Sequence, residues 1–497
     1  MTRIVVIGAG MGAMATAARL AVAGHRVAVY ERSTVPGGGV GRLARDGFTF
    51  DTGPGLLHLP AVYRDLFIKT GKESLEQSLG LHQVDPAASH RFADGTSVNL
   101  PNASRAGVVQ ALDAALTPGA GERWSDLVNR ARDAWDATRR PLLEEPLPAD
   151  PDRRAALGHD PYPALRRRGL FRRSTPATLE AVARRELADP RLIALLESHA
   201  LAHGLDPRRA PAGAAVLPYM EQTFGSWYAQ GGIRALAEAL YARCLARKAE
   251  FHFGAEVTGL LEKDGRAAGV RLADGTVAEA DAVVAGVDPA ALPALSGFAQ
   301  RDVPRSRFSV FLALRGARPA DTPHRTVIHT PDREAELAAV FGPAPHAGHR
   351  PTVIALRPDD PSTRPDADHE ALTLTATVAP QGEVDWADGP TREGFADRMV
   401  QAAEVAVPGL AGRVLWRAVR TPLEVEAATG ARGGGVPAPA LAGADGAFLH
   451  PANSGRLPGL YLAGGFAHPG GGLAHAGMSG ALVAGLIVEG AAFRGSQ

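Results

Sequence analysis

Two glycine turns, set almost at opposite ends of the chain, constrain its fold more than any other feature. Near the start, the apolar run Ile4-Val-Val-Ile7 leads into Gly8-Ala-Gly10-Met-Gly12-Ala13. A helix-forming stretch to Ala23 follows, then Gly24 and a second apolar alternation through Tyr30 to Glu31. Near the far end, Leu460-Tyr-Leu-Ala463 opens into Gly464-Gly465-Phe-Ala-His468-Pro469-Gly470-Gly471-Gly472, and small and apolar residues continue from Ala474 to Glu489. Each unit reads as strand, tight turn and helix. In such a unit backbone N–H groups and the positive helix end converge on one point, which suits an electron-rich ligand. Two such units predict that both ends of the chain fold around one large ligand.

The first unit has the order of a βαβ dinucleotide fold. Gly8 allows the tight turn, Gly10 admits a pyrophosphate to the backbone, and Ala13 takes the third position, where a small residue lets helix and strand pack closely. Gly12 adds further room. Glu31 ends the second strand about 20 residues beyond the glycines, where a carboxylate accepts hydrogen bonds from ribose hydroxyls. The same carboxylate would repel a 2′-phosphate. NAD and FAD both satisfy this pattern.

The next residues are Pro36-Gly37-Gly38-Gly39 and Asp46-Gly-Phe-Thr-Phe-Asp51-Thr-Gly53-Pro54-Gly55. With Glu31 before them, they resemble the FAD-binding head of the phytoene desaturase-like flavoproteins, which are related to the amine oxidases. Tyr228-Ala-Gln-Gly231-Gly232-Ile-Arg-Ala-Leu236 is similar to that family's Gly-Gly helix start. The stretch from Ala255 to Gly275 resembles its strand hairpin, and Gly459-Leu-Tyr-Leu-Ala-Gly464-Gly465-Phe-Ala-His468-Pro469-Gly470-Gly471-Gly472 its C-terminal signature. The resemblance implies an α/β fold of amine-oxidase/phytoene-desaturase type: a Rossmann-like, discontinuous FAD-binding domain (1–95, 228–300 and 445–497) with an inserted α+β substrate domain. The insert divides into a helical region (96–227) and a β-sheet region (301–444). It implies FAD contacts at Gly8, Gly10, Gly12, Ala13, Glu31 and Arg32, then at Gly38, Gly39, Arg42, Gly53, Pro54, Gly55 and Val257. At the other end the implied contacts are Gly464, Gly465, His468, Pro469, Gly471, Gly472 and Leu473.

Composition narrows the partners. Lys+Arg 53 against Asp+Glu 53 gives a formal net charge of zero, so nucleic acid is not an expected partner. Cys244 is the only cysteine, which excludes an intrachain disulfide and a CxxC redox pair, so redox chemistry requires a bound cofactor. The 497 residues, 45% hydrophobic, suffice for a large core in more than one domain. No apolar run reaches the ~18 residues of a membrane span, and a cytoplasmic location is expected. The sequence leaves the oligomeric state open.

Two internal regions stand apart. Pro141 to Arg173 is rich in proline and holds Arg166, Arg167, Arg168, Arg172 and Arg173. It reads as a solvated linker; the competing reading is a peripheral membrane contact, with Leu165, Leu170 and Phe171 as apolar anchors. The region from about Phe308 to Arg420 reads as strands at Phe308–Leu314, Thr352–Leu356, Leu372–Val378 and Val414–Trp416.

A flavin takes a hydride at N5 and develops negative charge near N1 and C2=O, which the helix after Gly472 would stabilise. The resemblance implies a long, apolar, often conjugated substrate held in a dry channel. Candidate lining segments are Leu56-Leu57, Val216 to Met220 and Phe224 to Tyr228. His468 occupies the family's histidine position and is the first catalytic candidate, by contact with the flavin edge or by proton transfer; the alternative is that it caps the turn. His58, after the Asp51-Thr-Gly-Pro-Gly turn, ranks second. His199 and His203, four apart, read as a cavity or surface pair, with no metal site assigned.

The chain also departs from the pattern. Gly39 stands where carotenoid desaturases usually carry Arg, Ala467 replaces the usual Thr, Ala474-His475 replaces Pro-Gly, and His450-Pro451 replaces Arg-Pro. These changes keep three hypotheses open: FAD-dependent dehydrogenation of a carotenoid or isoprenoid; redox tailoring of a polyene polyketide or tetramate, with NAD(P)H as reductant; and a non-catalytic escort of the Rab-escort type.

Overall fold

A computed structural model of the protein describes residues 2–148, 150–163, 177–298 and 302–495. The arginine cluster at 166–173 lies outside these residues.

A five-stranded sheet forms the base of the nucleotide unit, in the order Glu250–Phe253, Arg26–Glu31, Arg3–Ile7, Ala282–Ala285, Leu460–Leu462. Every pairing in it is parallel. Such a sheet needs both faces covered, so its central strands are near-continuous apolar runs; Ile4, Val6, Val283 and Val284 are fully or almost fully buried. Two helices, Met11–Val22 and Leu473–Glu489, lie against each other beside it. Met11–Val22 carries Ala, Gly and Thr on the side a typical surface helix would make polar, because it is buried nearly all round. A meander of Val257–Lys263, Arg266–Leu272 and Val277–Glu279 follows. Its first turn, Asp264-Gly265, has both residues at positive φ (52° and 68°), the pairing a tight hairpin requires.

The second sheet has seven strands, in the order Val414–Arg420, Ser306–Arg315, His369–Val378, Val353–Leu356, Arg325–Ile328, Ala88–Arg91, Ser97–Leu100. All four strands expected between Phe308 and Arg420 are present. The last two strands of the sheet correct the expected boundaries: Ala88–Arg91 falls within the segment assigned to the nucleotide domain, and Ser97–Leu100 within the one expected to be helical. Ala88–Arg91 pairs parallel with Arg325–Ile328, which only a long-range crossover can arrange.

Side-chain alternation splits the longest strand. Phe308, Val310, Leu312 and Leu314 pack with Trp386, Phe395 and Met399. On the opposite face Phe311 and Ala313 meet Phe48 and Phe50, while Arg307 and Ser309 face a cavity. Above that face lie the helices Pro190–Ala202 and Val216–Phe224.

Asp51 explains the spacing of two motifs. Its carboxylate accepts hydrogen bonds from Ile233 N (2.7 Å) and Arg234 N (3.0 Å), at the start of the helix Ile233–Ala246. Burial raises its carboxyl to about 6 against the pull of those amides.

Candidate active site

One cavity of about 1420 Å³ joins the two glycine turns to the inner face of the seven-stranded sheet. Ligand pockets ordinarily hold roughly 300–1,000 Å³, so there is room for a dinucleotide and a second molecule.

The nucleotide end is built by backbone. A Cβ placed on Gly10, Gly39 or Gly464 would meet nothing within 4 Å, so all three present bare main chain to the cavity. The helix Met11–Val22 starts at Gly10 with no side-chain cap, and Leu473–Glu489 starts at Gly472 in the same way. The first-turn amides of both helices are therefore left for a ligand. Glu31 is buried; its Oε2 accepts from Ala9 N (2.6 Å) and its Oε1 from Ser33 N (2.8 Å), which fixes the carboxylate at the cavity wall. These features fit an anionic dinucleotide.

Most of the expected site residues line this one cavity. Gly8, Gly10, Gly12, Ala13, Glu31 and Arg32 do so from the first unit, and Gly464, Gly465, Gly472 and Leu473 from the last. Gly38, Gly39, Arg42, Gly53, Pro54, Gly55, Val257 and His58 complete the set. Two of the cations have other attachments. Arg32 donates to Ala427 O (2.6 Å) at the end of the helix Pro422–Thr429, and Arg42 donates to Gly231 O (3.2 Å).

His468, Pro469 and Gly471 are not among the lining residues. The loop from Val436 to Ala440 runs against them: Gly471 N donates to Ala438 O (2.8 Å), and Pro469 O accepts from Ala440 N (2.9 Å). The His468 ring is fully buried and its Nε2 lies 2.9 Å from Glu145 O. Burial, above all, lowers its pKa to about 4. His468 thus ties the signature turn to Glu145, at the end of the helix Arg140–Glu144, and does not line the cavity.

The substrate end differs from a purely apolar channel. Leu56, Leu217 and Met220 line it as expected, but Leu57 and Tyr219 are core, and Phe224 to Tyr228 lie elsewhere; Tyr228 donates its hydroxyl proton to Asp360 Oδ2 (2.9 Å). Charged groups occupy the remaining wall. Glu221 and Arg325 form an ion pair (Oε1 to Nη1, 2.9 Å) in an enclosed setting. Nε2 of His199 and of His58 lie 3.8 and 4.0 Å from Glu221 Oε2. Burial alone would raise the Glu221 carboxyl, but Arg325 and then the two histidines hold it well below the usual range. Burial lowers His203 to about 4 and His475 to about 3, so both line the cavity as neutral rings.

Residues 14–488 match the family model described as flavin containing amine oxidoreductase. The chain belongs to this family. It is a flavoprotein oxidoreductase with FAD as its cofactor. It is 32% identical to hydroxyneurosporene desaturase of Cereibacter sphaeroides, over 96% of each chain. It is 27% identical to 4,4'-diapolycopene oxygenase of a Methylomonas species, over 98% of each. Among solved structures, an oxidoreductase from Methanosarcina mazei superposes with a TM-score of 0.64 at 18% identity, covering 97% of this chain and 99% of that one. Membership accounts for the discontinuous α/β fold.

Arg307, Ser309, Glu221 and Arg325 are cavity residues that reading along the sequence passed over, and His475, which it noted only as a departure from the family pattern, lines the cavity with them. One signal was available: on the strand Ser306–Arg315, Arg307 and Ser309 are polar at period two beside an unbroken apolar face.

Proposed function

We propose that the protein is an FAD-dependent oxidoreductase acting on a long polyene of carotenoid or related isoprenoid type. The observation that carries this reading is the continuity of the cavity, from the bare glycines at Gly10 and Gly464 to the wall of Leu56, Leu217, Met220, Ile354 and Leu356. Both of the relatives named above are carotenoid enzymes by name.

In this reading the main chain around Gly8 and Gly10 admits the pyrophosphate, and Glu31 takes the ribose hydroxyls. When bound, the flavin supplies an acceptor for a hydride from the substrate. The uncapped start of Leu473–Glu489 directs amides toward the negative charge that develops on reduction. The apolar wall holds the polyene, at roughly 25 cal/mol per Å² of surface buried, and excludes water. His203 and His475, held neutral by burial, line the wall without adding charge to it.

Redox tailoring of a polyene polyketide or tetramate, with flow of electrons from NAD(P)H, is a second reading. The cavity-lining cation Arg307 favours it, because a hydrocarbon gives the guanidinium no charged partner.

The test is anaerobic titration of the yellow, flavin-loaded protein. Bleaching of the flavin by a carotenoid precursor supports the first reading. Bleaching by NAD(P)H, with colour restored by a polyene, supports the second. A protein that cannot be loaded with FAD overturns both.

A further inference from the structure

The seven-stranded sheet presents a short polar row to the cavity. Arg307 lies opposite Thr377 and Ser309 opposite Thr375 in the antiparallel register of Ser306–Arg315 with His369–Val378. Arg307, Ser309 and Thr375 all line the cavity, with His203 beside them from the end of the helix Pro190–Ala202. Apolar residues, Ile354 and Leu356, continue the same wall.

Arg307 is the unusual member. Its guanidinium donates to Ala202 O, to Ser306 O (3.3 Å) and to Thr377 Oγ1 (3.0 Å), all neutral acceptors. Among the described residues no carboxylate lies within ion-pair distance of it. Glu221, on the same side of the cavity, is already matched by Arg325 at 2.9 Å. An enclosed cation without a counter-charge is costly, and burial brings the Arg307 pKa down to about 10 without removing its charge at neutral pH. An arginine that lines a ligand cavity and has only neutral partners is arranged to receive an anion. The neighbouring hydroxyls of Ser309 and Thr375 add donors on the same face.

We propose that Arg307, Ser309 and Thr375 form a subsite for an anionic oxygen terminus, such as a carboxylate, at one end of an otherwise apolar substrate. The substrate is then a polyene acid or enolate rather than a plain hydrocarbon. This rests on the polyene reading and specifies which end of the molecule is recognised. Anchoring one end would also set which carbon of the polyene reaches the cofactor, since the apolar wall of Leu56, Leu217, Met220, Ile354 and Leu356 imposes no register of its own.

The test uses flavin-loaded protein and a matched pair of probes, all-trans retinoic acid and its methyl ester, with binding followed by fluorescence quenching. The wild-type protein should bind the acid at least about tenfold more tightly than the ester, as expected for a charge-assisted contact. Arg307→Gln should abolish that preference, and Arg307→Lys should restore part of it. If Arg307→Gln does not fold, the Ser309→Ala/Thr375→Val double variant should show a smaller loss of preference with ester binding unchanged. Equal binding of acid and ester by the wild-type protein overturns the subsite alone. Persistence of the preference in Arg307→Gln, or loss of flavin from a folded Arg307→Gln protein, also overturns it, the latter assigning Arg307 to the cofactor. If neither probe binds the wild-type protein, the polyene reading fails and the subsite with it.

Discussion

Gly12 and Gly464 are in backbone contact: a Cβ on Gly12 would lie 2.6 Å from Gly464 Cα and 2.9 Å from Ala476 O. The two glycine turns, more than four hundred residues apart in sequence, therefore brace each other directly. Gly12→Ala should force them apart. We expect a loss of roughly 1–3 kcal/mol, the usual cost of overpacking, together with reduced flavin content, measured by thermal unfolding and by absorbance of the purified protein.

Gly10→Ala should separate binding from folding. Gly10 has φ −71° and ψ 169°, which alanine adopts without strain, and the new methyl group would meet no protein atom within 4 Å. The variant is expected to unfold at or slightly above the wild-type temperature, by the loss of unfolded-state freedom, while binding FAD more weakly. Full flavin occupancy in Gly10→Ala would mean that no ligand approaches that backbone.

Glu221 and Arg325 should behave as a unit. Glu221→Gln leaves an enclosed guanidinium unpaired and is expected to cost about 3–5 kcal/mol, whereas the double variant Glu221→Gln/Arg325→Met should recover much of that loss. A double-mutant cycle on urea midpoints measures the coupling. Additive losses would show that the pair is not mutually supporting.

Acid should destabilise the fold well before ordinary carboxylates titrate. Burial lowers His203 and His450 to about 4 and His329 and His475 to about 3, while an unfolded histidine takes up its proton near 6.5. Between those limits the unfolded chain binds more protons, so stability falls as pH falls. Each group contributes up to roughly 1.4 kcal/mol per pH unit. Glu221, held below the usual range, adds a further loss in the same direction below its unfolded pKa. Urea midpoints should therefore drop steeply from pH 7 to pH 5 and stay level above pH 7.

The features legible in the sequence were those in which the backbone itself makes the demand. Gly12 has no room for a side chain, Gly464 has φ 93°, and Glu31 ends its strand, so their meaning survives without knowledge of the fold. His468 was misleading for the opposite reason. Its position in the motif is local, but its orientation depends on the Val436–Ala440 loop and on Glu145, which no spacing along the signature reveals. Arg307, Arg325 and Glu221 were passed over because they meet only after distant strands find their register: Arg325 lies opposite Leu356, and Arg307 opposite Thr377. The domain boundary near residue 95 failed likewise, since a parallel pairing with Arg325–Ile328 decides where Ala88–Arg91 belongs.

In the parallel sheet, Leu460–Leu462 lies one strand away from Arg3–Ile7, with Ala282–Ala285 between them. Made early in translation, the first strand must wait for a neighbour from midway along the chain and for an edge strand that leaves the ribosome late. Gly464 and the amides that follow it arrive with that edge. Flavin capture therefore waits until Leu460–Leu462 has been made and has joined the sheet, so a nascent chain that stops short of this strand lacks half of the cradle.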